Sequence, residues 1–237
     1  MTPQATSRRD RLRQNTLAEI HAAARRLLIA GGSSAVTINA VAREVGMSGP
    51  ALYHYYASHQ ELVSAVTADF YRELAQELRA ASDAHADGPP ARRLLAASRA
   101  LRAWALAHRA EFGWMFASPA PAPDRDHVDS PRDLAEQGFE AIFLEQVVDL
   151  WNTNPFPVPD LEDLAPSLRD QLNDYYATRR LPPEAAHVFL SCWIRLYGLL
   201  CMEVLNQLDF AYSDLEPVFE ECLRDVCAML GLTYEPV

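Results

Sequence analysis

Apolar residues recur at three- and four-residue steps along almost the whole chain, and this spacing limits the fold more than any other feature. Positions three and four residues apart lie on one face of an α-helix. The clearest stripe keeps a four-residue step over five members: Leu62, Val66, Phe70, Leu74 and Leu78. Only nine glycines occur in 237 residues, which leaves little material for hairpin turns. The sequence therefore predicts an all-α fold.

Helix caps and breakers divide this pattern into segments. Ser58 followed by Glu61 is a capping-box signature for a long helix, and the run from Asp87 to Pro90 interrupts the pattern. A third helix of about two turns should begin after Ser48. A loop is expected over 118–131. The other helices are predicted over residues 9–29, 37–44, 58–78, 91–116, 133–151, 164–178, 184–208 and 214–230.

The charge of the chain is unevenly distributed. Residues 1–60 carry seven arginines against Asp10, Glu19 and Glu44, about +4, whereas the whole chain has a net charge of −11. A basic end on an acidic chain is typical of a nucleic-acid reader joined to an acidic second domain. A solvated basic tail explains residues 8–13 equally well, so both interpretations stay open at this point.

Residues 37–56 have the order helix, glycine turn, helix. Thr37 and Ser48 can cap the two helices, and Gly46 permits the tight turn between them. Ala42 allows the helices to cross closely. This is the spacing of a helix-turn-helix motif, whose second helix is free to enter the major groove of DNA.

The phrase that follows is Leu52-Tyr-His-Tyr-Tyr-Ala-Ser-His-Gln-Glu-Leu62. It resembles the TetR family of bacterial transcriptional regulators, in which Leu-Tyr-x-His/Tyr-Phe-x-Ser/Asn-Lys-x-x-Leu is typical. The resemblance covers residues 15 to about 62 as a motif and continues only as helical layout. It implies an N-terminal three-helix helix-turn-helix DNA-binding domain over residues 1–60. Residues 61–237 would form a larger helical domain for effector binding and dimerisation.

The resemblance implies particular DNA contacts. Tyr53 corresponds to a phosphate-contacting tyrosine, Tyr55 to a second phosphate contact, and Thr37 to a backbone-contacting cap; packing between helices is the alternative for both tyrosines. His54 either reads a base or is solvated. His59 stands where a lysine is usual, and because a neutral imidazole brings no fixed charge, DNA affinity should be weaker or should rise at lower pH. The expected DNA-contacting residues are Thr37, Ser48, Gly49, Pro50, Ala51, Tyr53, His54, Tyr55 and His59.

Two later segments, 103–116 and 192–203, resemble a recurrent variant of the family's C-terminal half. The resemblance implies a small effector bound between helices and a homodimer through the helices 184–208 and 214–230. Aromatic and soft side chains are typical of apolar pockets, although such residues at helical spacing are more often core. The pocket candidates are Trp104, Phe112, Met115, Phe116, Phe139, Phe143, Trp193 and Tyr197.

These features predict a DNA-binding transcriptional regulator. We expect a ligand-responsive repressor that a small, largely apolar molecule releases from a pseudo-palindromic double-stranded operator. The alternative is a helical protein-interaction adaptor without specific DNA binding. No Gly-rich phosphate loop, Gly-x-Ser-x-Gly elbow or His-Glu-x-x-His motif occurs, so we expect neither an enzyme nor a cofactor. The acidic residues between Asp124 and Asp129 are interpreted as a solvated turn rather than a metal site.

The stretch 185–202 is apolar almost all round. A membrane span is one alternative, but Arg195 would lie at its centre, so burial between the protein core and a second subunit is the expectation. The first ten residues lack a signal-peptide pattern, and the four cysteines form no Cys-x-x-Cys pair. We therefore expect a cytoplasmic protein with core thiols and no membrane partner.

Overall fold

The computed structural model describes residues 8–117, 130–176 and 181–236, and within these ranges the chain forms helices and turns without a β-strand. The all-α expectation is confirmed. Two short 3-10 turns, a π-helix and ten α-helices follow one another. The α-helices are α1 (Arg8–Gly31), α2 (Ile38–Glu44), α3 (Gly49–Leu52), α4 (His59–Asp83), α5 (Pro90–Ala107), α6 (Arg109–Phe112), α7 (Pro131–Thr153), α8 (Pro166–Tyr176), α9 (Pro183–Val204) and α10 (Glu216–Met229).

The described residues divide into two compact units. The first consists of residues up to 71 together with the described residues between 110 and 136. The second consists of residues 72–109 and the described residues from 137 onwards. A functional division at residue 60, between DNA binding and effector binding, stays a prediction.

The first unit is built on the apolar faces of its N-terminal helices. Helix α2 packs against both α1 and α3. Each of these helices carries buried apolar residues, among them Ile20 and Ala24 of α1, Val41 of α2 and Leu52 of α3. The stripe predicted from residue 62 to residue 78 is confirmed as the buried face of α4, with no member more than 2% exposed. Apolar spacing alone therefore located the inner faces of these helices.

The predicted caps and the predicted turn are also present. The Thr37 hydroxyl accepts a hydrogen bond from the Ala40 amide at 3.2 Å, and the Ser58 hydroxyl accepts one from the Glu61 amide at 3.1 Å. Gly46 has a φ of +70°, the left-handed conformation that L-residues with a side chain rarely adopt. It lets the chain reverse between α2 and α3 within a few residues.

In the second unit, α9 packs against α5, α8 and α10. Two arginines of α5 join these helices by charged hydrogen bonds. Arg102 bonds both oxygens of Glu203 on α9, and Arg99 bonds both oxygens of Glu220 on α10. The Arg102 and Glu203 side chains are only 11% and 6% exposed. Burial of each charge is tolerated because the other charge is paired with it.

Two predicted helices end differently from expectation. The helix predicted over 91–116 breaks at His108 and continues as α6 and a π-helix, Gly113–Ala117. The next residue, Arg109, donates to the carbonyls of Glu203 and Val204 at the end of α9, a tertiary contact that a local pattern does not contain. Helix α9 ends at Val204 rather than residue 208, since Asn206 has a positive φ of 54°.

The remaining differences are small. Helix α10 begins at Glu216 instead of residue 214, and Gly231, at φ +61°, follows its end as predicted. The helix expected over 164–178 is observed from Pro166 to Tyr176. Its last two expected residues lie outside the described ranges, as do residues 118–129 of the expected loop and the acidic turn within it.

One described helix, α9, is long and apolar enough to cross a membrane by length and composition alone. Its most apolar window has a mean hydropathy of 1.4, and 39% of that window is buried within the protein. The Arg195 side chain on this helix is exposed and lies 3.8 Å from Asp225 of α10. A buried core helix passes the same test, so this finding does not by itself indicate a membrane protein.

Gly46→Ala should lower the free energy of unfolding by about 1 kcal/mol, because alanine disfavours the left-handed backbone required there. Gly138→Ala is the matched control. An added methyl group there meets no heavy atom within 4 Å, and alanine favours the interior of α7 by roughly 0.5–1 kcal/mol. Urea unfolding of both variants should show shifts of opposite sign. Shifts in the same direction would contradict the conformational explanation.

Candidate functional site

The second half of the helix-turn-helix is shorter than expected. Helix α3 is a single α-helical turn, Gly49–Leu52, and the prediction of about two turns is wrong. Hydrogen-bonded turns continue the chain, with the amides of Tyr55 and Tyr56 both donating to the Leu52 carbonyl. The Ser58 cap of α4 follows Tyr56 by two residues, so these turns lead directly into the next helix. We call residues 48–56 the recognition turn.

Two buried side chains fix the orientation of the recognition turn. Leu52 is fully buried and Tyr56 is buried, which confirms the expected core position of Tyr56. Between them, Tyr53 and His54 point away from the core, and 53% of Tyr53 is exposed. Tyr53 is therefore not a packing residue of the core in this unit. Its hydroxyl lies where a ligand outside the protein can reach it.

The start of the recognition turn is arranged by a cap and a close approach. The Ser48 hydroxyl accepts a hydrogen bond from the Ala51 amide at 3.3 Å. Gly49 faces α2 so closely that a Cβ atom there would lie 2.7 Å from the Asn39 side-chain oxygen. Pro50 is exposed and Ala51 is half-buried. Ser48, Gly49, Pro50 and Ala51 offer no long hydrogen-bonding side chain. The exposed Asn39 of α2 lies beside Gly49 and was not among the residues expected from the sequence.

Tyr55 is half-buried and has a cation as its neighbour. The guanidinium carbon of Arg13, on α1, lies 5.3 Å from the centroid of the Tyr55 ring. Such a contact combines packing of the planar guanidinium with electrostatic attraction to the ring face. In the sequence, Arg13 stands out only as part of a basic end. The separation of 42 residues gave no local signal that it would meet Tyr55.

His59 is exposed, but its ring has a protein partner. The Nε2 atom lies 2.6 Å from the carbonyl oxygen of Val36, and since a carbonyl can only accept, Nε2–H is the donor. A neutral imidazole has a single N–H, which is used in this contact. A phosphate bond from the neutral ring, the role considered for His59 from the sequence, would require this contact to break.

A half-buried polar cluster lies behind the recognition turn. His21 of α1 forms a hydrogen bond through Nδ1 to Asp69 of α4, and its Nε2 lies 2.5 Å from the Tyr56 hydroxyl. Burial, followed by the charges of Asp69 and Glu61, raises the pKa of Tyr56 to about 12. The phenol therefore remains protonated at ordinary pH. These residues lie far apart in sequence, so no motif indicated their contact.

Tyr56→Phe should lower the unfolding free energy by about 1 kcal/mol at about pH 8, because His21 loses a hydrogen-bond partner. A raised tyrosine pKa favours the folded state below the unfolded value of 10, and this contribution disappears as pH rises towards 12. The variant should therefore lose less stability than the wild type between about pH 8 and about pH 11. Urea unfolding measures both. Tyr212→Phe, at an exposed tyrosine, is the control, and equal pH slopes for wild type and Tyr56→Phe would contradict the assignment.

The aromatic pocket candidates are distributed over both units. In the first unit, Phe112 and Met115 are buried and Phe116 is half-buried, with an edge-to-face contact to Tyr71 at 5.6 Å. Trp114 donates to the Thr67 hydroxyl at 2.8 Å. These side chains form part of the core of their unit.

The candidates in the second unit form an aromatic cluster beside a cavity. The ring of Trp193 lies against Phe139, Phe143 and Tyr197, and Phe139 also contacts Phe143, with ring centroids 5.6–6.2 Å apart. Only the Trp193–Tyr197 pair is stacked, and the other pairs are edge-to-face or tilted. Trp104 is buried and donates from its indole nitrogen to Glu73 at 3.2 Å. A cavity of 30 Å³, room for about two water molecules, has an almost wholly apolar lining. Its lining comes from α5, α7, α9 and α10 and is formed by Leu94, Ser98, Phe143, Val147, Phe189, Cys192, Trp193, Leu196, Val226 and Leu230.

Two of the eight candidates, Phe143 and Trp193, thus contribute to this cavity. The thiol of Cys192 also lies on it, and burial raises its pKa to about 12, which leaves it protonated. The parts of the chain that the structure describes contain no group of three His, Cys, Asp or Glu side chains placed to hold a metal ion. The site that the geometry supports is an apolar one.

Comparison with known families agrees with both halves of this arrangement. Residues 20–66 match the family model for bacterial regulatory proteins of the tetR family, and residues 94–226 match the tetracyclin repressor-like C-terminal domain. The chain belongs to the TetR family. The resemblance stated from the recognition turn and the following phrase is confirmed.

Individual relatives are regulators by name. The chain is 33% identical over 122 residues to HTH-type transcriptional regulators of Mycobacterium tuberculosis (Rv1816) and Mycobacterium bovis (Mb1846), which is 50% of this chain. It spans about half the length of these curated relatives, 52%. The crystal structure of SCO4313, described as a regulatory protein, is 30% identical with a TM-score of 0.69, covering 93% of this chain and 98% of that one. A TetR family structure from Shewanella sp. PV-4, 14% identical with a TM-score of 0.58 and covering 90% and 95%, shares the fold.

Proposed function

We propose that this TetR-family chain is a DNA-binding transcriptional regulator that places its recognition turn in the major groove of a double-stranded operator. The observation that carries the proposal is the orientation of residues 52–56. Leu52 and Tyr56 are buried, whereas Tyr53 and His54 face outwards. An adaptor that used the motif only for packing is not favoured, since packing does not require an outward tyrosine there.

In this proposal, phosphate contacts position the protein and base contacts specify the sequence. Tyr53 and Tyr55 contact phosphates, and Thr37 contacts the backbone near its cap. Ser48, Gly49, Pro50 and Ala51 enter the groove, with His54 beside them. Because this set has few long hydrogen-bonding side chains, specificity depends on apolar contact to thymine methyl groups and on DNA shape.

The test of DNA binding is a salt series on random duplexes, followed by selection and sequencing of the duplexes retained near physiological salt. A regulator gives a steep fall of affinity with salt, because arginine contacts to phosphate release counterions. It also enriches a two-fold symmetric site. Weak salt dependence without enrichment would overturn the proposal and favour the adaptor.

Tyr53→Phe should weaken binding by roughly three- to ten-fold, the effect of about one lost hydrogen bond, on the selected site and on random duplexes alike. Stability should not change, because the side chain is exposed. Fluorescence anisotropy measures the affinities, with Tyr212→Phe as the control. A loss confined to the selected site would assign Tyr53 to base recognition instead.

The protein acts as a homodimer in this proposal. Helix α9 has exposed or half-exposed apolar residues at four-residue spacing, including Leu190, Ile194 and Met202, and Ile194 is 66% exposed. A row of this kind is covered when α9 and α10 pack against their copies across a two-fold axis. The two recognition turns then lie about 34 Å apart and match a pseudo-palindromic site.

Ile194→Glu should convert the dimer to a monomer, or raise its dissociation constant by at least about 100-fold, because a carboxylate would be buried in an apolar contact. Gln207→Glu adds the same charge at an exposed polar position and is the matched control. Sedimentation velocity measures the mass, and circular dichroism checks that the helices remain. A dimeric Ile194→Glu variant would contradict the proposed interface.

Regulation follows from a shift between conformations. A small, largely apolar effector enters the second unit beside Phe143 and Trp193 and enlarges the cavity there. The effector binds more tightly to a conformation of the dimer in which the spacing of the two DNA-binding units does not match the operator. This difference in effector affinity between the two conformations sets how far operator affinity falls. The other pocket candidates contact the effector or transmit its binding to the DNA-binding unit in this proposal. They are Trp104, Phe112, Met115, Phe116, Phe139 and Tyr197. The proposal needs no cofactor or catalytic residue and assigns the protein to the cytoplasm.

A further inference from the structure

We infer that Arg13 is a DNA-phosphate-binding residue, and that from α1 it supplies the fixed positive charge that a lysine at position 59 would bring. The inference rests on the proposed DNA-binding function. It assigns a contact outside the helix-turn-helix helices α2 and α3.

Arg13 lies at the edge of the recognition turn. Its guanidinium carbon is 5.3 Å from the centroid of the Tyr55 ring, and Tyr55 lies two residues after the outward Tyr53. The N–H donors of a guanidinium lie in its plane, so a guanidinium held against a ring face can still donate from its edge. Tyr55 thus orients Arg13 beside the proposed phosphate contacts without consuming its donors.

The charge of Arg13 is available, unlike that of two other arginines on α1. Arg25 donates to Glu111 at 2.7 Å and Arg26 to Glu44 at 3.0 Å. Arg13 is exposed and forms no ion pair within the described ranges. An unpaired arginine at this position can neutralise a phosphate without first giving up a carboxylate.

His59 does not supply the charge that the family pattern expects. Its Nε2–H donates to the Val36 carbonyl at 2.6 Å, which uses the one donor of the neutral ring. The chain contains no lysine at all. A fixed positive charge near Tyr53 and Tyr55 therefore has to come from an arginine, and Arg13 contacts one of these tyrosines.

Two carboxylates near the recognition turn increase the importance of the Arg13 charge for phosphate binding. The charges of Asp69 and Glu61 act on the buried Tyr56, and the charge of Arg13 opposes them there. Without Arg13, the recognition turn would retain two nearby negative charges and lose the neighbouring cation. Phosphates approaching Tyr55 would then meet a less favourable field.

Arg13→Gln tests the inference in the full-length protein, with a random duplex pool and with the duplex selected as above. The slope of log affinity against log salt should become shallower by about 0.9 for each DNA-binding unit, or about 1.8 for a dimer on a symmetric site. At 0.1 M salt this change in slope corresponds to a loss of DNA affinity of about eight-fold for each DNA-binding unit. The loss should be similar on both duplexes, because phosphates carry no sequence information.

Arg26→Gln is the matched control. It removes the same charge from the same helix, about 20 Å further along its axis, where Glu44 already neutralises it. Its salt slope should remain close to that of the wild type. Equal changes in both variants would show an effect of net charge alone and would overturn the inference.

Substitutions at Tyr55 distinguish two roles of this residue: orienting Arg13 through its ring and contacting a phosphate through its hydroxyl. Tyr55→Phe keeps the ring under Arg13 and should preserve the Arg13 contribution to the slope, so that a further Arg13→Gln change has its full effect. Tyr55→Leu removes the ring and should reduce that effect, with the melting temperature confirming a folded protein. An unchanged Arg13→Gln effect in the Leu background would contradict the positioning role of Tyr55.

A charge rescue distinguishes binding from a structural role. His59→Lys in the Arg13→Gln background should restore most of the lost slope, because it returns one positive charge to the position where the family pattern has it. Failure to restore any slope would overturn the claim that Arg13 substitutes for that lysine. A wild-type slope for Arg13→Gln alone would overturn the inference while leaving DNA binding intact. Absence of salt-dependent binding by the wild type would instead refute the proposed function.

Discussion

The burial of Leu52 and Tyr56 is the constraint on which the DNA-facing surface depends. These side chains are four residues apart and enter the core of the first unit, so Tyr53 and His54 between them face outwards. Tyr56 is held further by His21, which Asp69 orients from α4. The exposed Tyr53 and the half-buried Tyr55 are thus placed by packing and hydrogen bonding behind them.

Much of this arrangement could be predicted because it is local. The buried face of α4, the caps at Thr37 and Ser58, and the glycine turn at Gly46 each follow from residues within a few positions of one another. Backbone geometry alone couples such residues. The same holds for the core position of Tyr56, which the spacing from Leu52 required.

The features that could not be predicted from the sequence depend on contacts between residues far apart in the chain. The break after α5 accompanies the bonds from Arg109 to the end of α9, 94 residues away. The hydrogen bond from His59 to Val36 and the contact of Arg13 with Tyr55 likewise join separate elements. The aromatic pocket candidates are likewise divided, since Phe112 and Phe143 belong to different units. Helical spacing shows that an aromatic faces inwards but not which neighbours it meets.

The close approach of Gly49 to Asn39 has a consequence for how the recognition surface can vary. A Cβ atom at position 49 would lie 2.7 Å from the Asn39 side-chain oxygen, so the Asn39 side chain must shift or be replaced for a larger residue to fit. Substitutions at the two positions should therefore be epistatic rather than additive. A library built to redirect the protein to a different base sequence would have to randomise positions 39 and 49 together, whereas the exposed Pro50 and His54 can be changed one at a time.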